Sequence, residues 1–434
     1  MKPPRRSPAR FGSCCICWLL TMFSCFTMRG TVASQAAARL SPGSWINIAH
    51  HVDNFSSWSL PPAVTPSLTL SNKDDAGEGA GAGASSSSTS RVHSTPLPRI
   101  SLEDSAAVCA RVPGLSFGQL RQCSLFADHM TSVGRGATDS ILECQHQFRH
   151  DRWNCSSGGG GGGGSGAGGS PSAASVQLPA LHVGSREAAF THAIATAGVV
   201  YAVARSCKDG SLPSCGCSRT ARPKDLKRDW LWGGCGDNLE YGYKFTQGFV
   251  DVRERERPLK KGSKDQGRAL MNLHNNEAGR RAVIRASRVT CKCHGVSGSC
   301  SMITCWQQLT PFREIGEFLR DKYETATEVR VTKRGKLTVR SPRYSQRPTV
   351  NDLVYLEESP NYCVRDPALG SMGTQGRTCN RTSRGLDSCH VLCCGRGYNT
   401  LRVTRSYRCD CKFHWCCHVQ CRQCTETREI HTCK

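Results

Sequence analysis

The sequence predicts an α+β fold in two parts: a helical N-terminal domain that carries a disulfide-braced hairpin, and a small cystine-rich β-hairpin C-terminal domain. Three observations predict it. Apolar residues recur at helical spacing in three stretches between residues 186 and 326. Four cysteines crowd into CKCHGVSGSCSMITCW, residues 291–306. Twelve of the 28 cysteines fall in residues 363–434, where aliphatic side chains are too few for burial alone to hold a fold.

In chain order, residues 1–10 carry four basic side chains and no acidic one. Residues 11–28 are uncharged and apolar, and Val32-Ala33-Ser34 supplies small residues. This reads as a secretory signal over residues 1–34, with a membrane anchor as the alternative. No later stretch is expected to span a bilayer. Loss of the signal removes Lys2, Arg5, Arg6, Arg10 and Arg29, taking the formal charge from +23 to +18. It also removes Cys14, Cys15, Cys17 and Cys25, leaving 24 of the 28 cysteines. An even count in a secreted chain reads as a framework of up to twelve disulfides, and the positive charge points to anionic partners.

Residues 35–105 are rich in Ser, Ala, Pro and Gly, and are expected to be disordered. The helical domain should occupy residues 106–326, interrupted by a Gly-rich loop at 156–175 that contains Gly158 to Gly164. Its helices are expected at 186–206, 266–288 and 310–326. In the last, Thr310 would cap, Pro311 suits the first turn, and Phe312, Ile315, Leu319 and Tyr323 share a face. Residues 327–362 read as a basic hairpin and linker turning at Arg334-Gly335, and residues 363–434 as short strands and loops stapled by disulfides.

Nested pairing in the first cysteine cluster, Cys291 with Cys305 and Cys293 with Cys300, makes a hairpin of residues 291–305 that holds Ser297 at its tip. Three readings compete for that tip. A zinc site from Cys291, Cys293, His294 and Cys300 needs free thiolates, which an oxidising secretory route disfavours. A nucleophile of G-x-S-x-G type fails because Ser299 stands where the second glycine belongs. An exposed serine that receives a modification remains, with Ser299 as the alternative acceptor. No catalytic residue, metal or cofactor is expected, and the chain does not read as an enzyme.

This hairpin resembles the lipid-bearing hairpin of the Wnt family of secreted signalling glycoproteins. ECQHQFRHDRWNC (143–155), WGGCGDN (232–238), LHNNEAGR (273–280) and CCGRGYN (393–399) resemble family blocks, so the resemblance covers residues 109–434. ARPKDLKRDWLWGGCGDNLEYGYKF (221–245) and the FVDVRERER that follows are most similar to class-five Wnts. The resemblance implies the Wnt fold and a covalent palmitoleate on Ser297, added by the acyltransferase Porcupine. It also implies a Wntless carrier during secretion, and a lipid that lies in the cysteine-rich domain of a Frizzled receptor beside Val296. An acyl chain of that size, at roughly 0.8 kcal/mol per CH₂, contributes about 10 kcal/mol when fully buried, before ordering costs.

A second contact is expected at CKFHWCCHVQC (411–421), where an outer cysteine pair closes a hairpin that presents Phe413, Trp415 and Val419. Local packing of Phe413 and Trp415 is the competing expectation. The resemblance implies a vicinal disulfide of Cys416 with Cys417 at this fingertip. It further implies the pairs Cys144–Cys155, Cys207–Cys215, Cys217–Cys235, Cys363–Cys394, Cys379–Cys389, Cys393–Cys433 and Cys409–Cys424, leaving Cys109 with Cys123. His418 stands where class-five relatives usually carry tyrosine, and the low-complexity stretch and glycine run also depart from the family.

Asn54, Asn154 and Asn380 sit in N-glycosylation triplets. Basic clusters at 253–264 and 330–347 lack interleaved aromatics, which favours heparan sulfate proteoglycans over nucleic acid. The resemblance implies a secreted morphogen of the extracellular space and matrix. It would bind Frizzled with Ror- or Ryk-type co-receptors and signal mainly without β-catenin in cell polarity, migration and development. A glycan-held matrix protein is the alternative, and a serine hydrolase using Ser297 a third.

Overall fold

The computed structural model describes residues 45, 46, 48, 102–112, 114–156, 182–295, 299–341, 347–366 and 369–434. The signal segment, most of the Gly-rich loop and Asn54 lie outside them.

Seven helices build the first part: α1 (Leu102–Arg111), α2 (Phe117–Leu125), α3 (Met130–Gln147), α4 (Arg186–Lys208), α5 (Leu239–Arg255), α6 (Lys264–Ala286) and α7 (Phe312–Glu324). Short polar side chains start them. Ser116 and Gln119 form a capping box on α2, Ser185 accepts from the Ala188 amide, Asn238 from Tyr241 and Ser263 from Gln266. Helix α4 is the hub, packed by α3, α5, α6 and α7. By length and composition α4 could cross a membrane, contrary to the expectation that no later stretch could. Here its apolar surface is buried in protein instead.

The close crossing of α3 over α4 depends on two glycines. A Cβ on Gly136 or on Gly198 would collide with the other's backbone, and Ser140 donates to the Ile194 carbonyl at 3.0 Å across the same gap. Gly198→Val is therefore expected to lower stability by about 1–3 kcal/mol through overpacking, read as an earlier midpoint in urea unfolding.

All three expected helices form, with shifted ends. The first runs two residues longer, to Lys208, and the second spans 264–286. The third begins only at Phe312, so Thr310 caps nothing and its buried hydroxyl has no hydrogen-bond partner. Ile315 and Leu319 enter the core, with Phe312 and Tyr323 packed against it. Helices α1, α2, α3 and α5 were not expected. In α3, Met130, Val133, Ala137, Ile141 and Cys144 form a buried stripe at helical spacing, and Thr131, Ser132, Gly134, Gly136 and Ser140 are buried beside it, so the interior face is wider than its apolar residues. Trp45, Ile46 and Ile48 correct the disordered reading of residues 35–105: they are buried, and Trp45 meets Phe249 edge-on at 6.0 Å.

The expected linker is no free tether. β4 (Thr327–Val331) pairs antiparallel with β5 (Leu337–Val339) about Gly335, whose φ is 71°, and parallel with β6 (Val354–Tyr355). Val329, Leu353, Val354 and Tyr355 belong to the helical core, and Asn275 exchanges two hydrogen bonds with the Val354 backbone.

The C-terminal part contains β7 (Arg365–Asp366), β8 (Ser371–Met372), β9 (Thr378–Cys379), α8 (Cys389–Leu392), β10 (Tyr398–His414) and β11 (His418–Cys433). Its core is Cys389, Leu392, Cys393 and Cys433 with Cys379 and Tyr398 against them, so sulfur replaces aliphatic packing. β10 and β11 correct the expectation of short strands. They form one antiparallel ladder, exposed along almost its whole length and therefore held by backbone hydrogen bonds and cross-strand cystines. Arg377 ties this part to the helical part by donating to the carbonyls of Arg152 (2.8 Å) and Arg149 (3.2 Å).

Candidate functional site

Two hairpins project from this scaffold. In the first, β2 (Arg288–Cys293) pairs antiparallel with β3 (Ile303–Gln308), and β1 (Leu231–Trp232) joins β3 in parallel. Cys291 faces Cys305 across the ladder and is bonded to it, and Cys293–Cys300 closes the loop beyond. With these sulfurs in disulfides, no zinc site forms around His294. The His294 amide donates to Met302 O and the Gly295 amide to Ser299 O, both at 2.8 Å, which carries the pairing beyond the end of the ladder. Val296, Ser297 and Gly298, at the tip, lie outside the described residues. Ser299 is exposed, as are Met302 and Val289 on the flanks.

The WGGCGDN block anchors this hairpin. A Cβ on Gly234 would lie 2.7 Å from the Trp306 ring, and one on Gly236 2.6 Å from Gln307 O, so both positions need glycine to let the strands approach. Fully buried Asp237 accepts from the Leu309 amide at 2.8 Å and faces Arg205 and Lys208. Asn238 caps α5 and donates to Gly216 O, while Cys217–Cys235 staples the loop.

The LHNNEAGR block lies on α6 and is structural. Arg280, 1% exposed, donates both terminal nitrogens to the Asp251 carboxylate at 3.0 Å and pairs with Glu277, which also accepts from the Tyr243 hydroxyl. Asn276 donates to Asp251 and accepts from Thr196. Burial alone would lower the Arg280 pKa, but the Asp251 and Glu277 carboxylates outweigh it and raise it. Phe148 and Trp153 of the ECQHQFRHDRWNC block meet edge-on at 4.7 Å in the core, beside Cys144–Cys155.

The second hairpin is the free end of β10–β11. Cys411–Cys421 and Cys409–Cys424 brace it, Phe413 faces Val419, and His414 faces His418. Phe413 is 66% exposed, Trp415 95% and Val419 60%, which overturns the competing expectation of local packing. Eleven bridges connect described cysteines, including Cys109–Cys123, Cys207–Cys215, Cys363–Cys394, Cys379–Cys389 and Cys393–Cys433. The twelfth expected pair is absent: Cys416 and Cys417 are exposed free thiols. Adjacent half-cystines close only through an eight-membered ring that dictates the turn. Both residues have positive φ, 71° and 83°, at the turn. His418 was noted in the sequence only as a missing tyrosine. Its ring stacks on His414, centroids 5.0 Å apart and planes within 11°, a pairing that only the strand register reveals.

Asn380 is exposed, and the Thr382 hydroxyl donates to its side-chain oxygen at 2.9 Å, whereas Asn154 is half-buried beside bridged Cys155. The fold joins the two basic clusters. The turn at Gly262 packs on Lys333 and that at Gly335 on Lys261, giving one exposed face of Lys260, Lys261, Lys264, Lys333, Arg334 and Lys336. Arg253 does not belong to it: its side chain is buried and donates to Gly114 O.

Residues 111–434 match the model of the wnt family. The chain belongs to the Wnt family. It is 54% identical to human Protein Wnt-5b over 337 residues, 78% of this chain and 90% of that protein, and 53% identical to Protein Wnt-5a of Ambystoma mexicanum with the same coverage. A solved structure, human WLS in complex with WNT8A, is 36% identical, covers 71% of this chain and 95% of that one, and has a TM-score of 0.47. This Wnt is a secreted signalling ligand, most similar to class-five members.

Proposed function

We propose that this Wnt binds the cysteine-rich domain of a Frizzled receptor from two sides, through a palmitoleate on Ser297 of the first hairpin and the Phe413, Trp415 and Val419 fingertip of the second. The observation that carries the reading is the fingertip: three large apolar side chains stand exposed on a disulfide-braced ladder, uncovered by any of the described residues. The first hairpin supports it differently. Its tip sequence, Gly-Val-Ser-Gly-Ser, holds no large apolar side chain, so affinity there calls for an added apolar group. Porcupine would esterify the serine and the Wntless carrier would escort the lipidated chain. Ror- or Ryk-type co-receptors and β-catenin-independent signalling in polarity and migration follow from likeness to class-five relatives.

Peptide-level mass spectrometry of the secreted protein tests the reading. The peptide containing Ser297 is expected to carry the mass of a palmitoleoyl group. An unmodified serine from cells with working acyltransferase overturns it and favours a matrix protein held by glycans.

The joined basic face fits heparan sulfate proteoglycans, which would hold the ligand in the extracellular matrix. Lys261→Glu/Lys333→Glu/Arg334→Glu is expected to leave a heparin column at clearly lower salt than the parent, because exposed ion pairs are screened and additive in effect. Unchanged elution would remove this face as the glycan site. Asn380 is the expected glycosylated asparagine among those described, since its acceptor triplet is exposed and pre-turned by Thr382.

A further inference from the structure

At the base of the first hairpin, away from its tip, a groove of about 700 Å³ opens between the start of α5, the end of α6 and the loop before β1. Its floor is apolar, made of Leu239, the Tyr243 ring and Ile284, which is 41% exposed. Its rim is cationic, with Arg219 on the loop and Arg281 and Arg285 one turn apart on α6. Arg281 is balanced by Glu277, and Glu240, the groove's own carboxylate, by Lys244. Arg219 and Arg285 are exposed and form no ion pair among the described residues, and the Arg285 guanidinium is held over the Phe318 ring at 5.7 Å. Gln307 also lines the groove. From there to Ile303, in the last pair before the tip, the strand advances roughly 13 Å, so a short segment seated in the groove leaves the tip clear.

We propose that this groove docks an acidic peptide segment of a partner protein, with an apolar side chain over Ile284 and Tyr243 and flanking carboxylates on Arg219 and Arg285. Guanidinium groups suit that occupant: they are planar, weakly hydrated and able to hold a carboxylate through two hydrogen bonds at once. The apolar floor decides between a peptide and a sulfated glycan. A glycan offers nothing to cover Ile284, whereas a leucine or phenylalanine side chain between two acidic residues buries it. The lysine-rich face about Gly262 and Gly335 carries charge without such a floor, which is the surface a glycan fits. An excess of Lys and Arg, 57 against 34 Asp and Glu, steers an acidic partner toward the chain. The contact is separate from both hairpin tips, so it holds whether or not Ser297 carries a lipid.

The test is fluorescence anisotropy of the full-length secreted protein with a labelled peptide of alternating glutamate and leucine, and with its glutamine counterpart. Saturable binding of the acidic peptide is expected, about tenfold or more tighter than that of the neutral one. Arg219→Glu/Arg285→Glu should lose that preference, and Ile284→Ser should weaken both peptides. Lys261→Glu/Lys333→Glu/Arg334→Glu, which alters the other basic face, should bind like the parent. No saturable binding of the acidic peptide, equal binding of the two peptides by the parent, or equal loss in the two charge-reversed variants overturns the groove. So does a heparin oligosaccharide whose binding Arg219→Glu/Arg285→Glu abolishes and Ile284→Ser leaves unchanged, since the arginines would then belong to a glycan. The comparison of the two peptides on the parent needs no variant to fold. Ser297→Ala should bind both peptides as the parent does, so failure here leaves the proposed function standing.

Discussion

Ser297→Ala is expected to abolish measurable binding to a Frizzled cysteine-rich domain and to slow secretion, while leaving the disulfide ladder intact. The size of the effect follows from the lipid: an acyl chain that contributes about 10 kcal/mol on full burial outweighs anything the polar turn of the first hairpin offers, even after ordering costs are subtracted. The fingertip alone would retain three exposed apolar side chains, enough for a weak contact. Biolayer interferometry of the variant against the immobilised receptor domain, with Ser299→Ala beside it, reads the difference. Ser299→Ala should bind like the parent. The Ser299 carbonyl accepts the Gly295 amide whatever its side chain, so equal loss in both variants would count against Ser297 as the single acceptor.

Asp251→Ala is expected to cost about 3–5 kcal/mol of stability, because it leaves the buried Arg280 guanidinium without the carboxylate that takes two of its hydrogen bonds. The loss should appear as a large shift in the urea midpoint and a drop in secreted yield. Replacing both partners, Asp251→Leu with Arg280→Met, should recover much of it, since an apolar pair of similar volume carries no uncompensated charge. If the single variant unfolds at the parent's midpoint, the α5–α6 crossing does not depend on this pair. Glu277, which is partly exposed and shared among Tyr243, Arg280 and Arg281, is expected to matter less.

How much of this was legible in sequence depended on whether the signal was local. Helix α7 showed itself because Phe312, Ile315, Leu319 and Tyr323 repeat at helical spacing against a polar outer face. Helix α3 was passed over although Met130, Val133, Ala137, Ile141 and Cys144 repeat at helical spacing, because the glycines, serines and threonines between them dilute that stripe and become interior only where Gly136 and Gly198 let two backbones touch. Trp45, Ile46 and Ile48 gave no warning either. Three apolar residues in a polar run form no period, and their burial exists only once α5 supplies a surface containing Phe249. In the fingertip, composition exposed the aromatics and the cysteines, but the facing of His414 with His418 required the register of two long strands.

The sequence by itself determined the chemistry: a secreted, cystine-stapled chain with a serine between nested cysteines, and aromatic residues between another pair. Such features are set by residue type and near spacing, which the chain carries along its length. The tertiary structure decided what lies beside what. It merged two basic clusters, separated by more than sixty residues, into one face and withdrew Arg253 from it. It turned an apparent linker into a sheet docked on α6, and left Cys416 and Cys417 unpaired at a turn of positive φ. These outcomes rest on burial and on backbone approach between segments distant in sequence, and no local pattern encodes either.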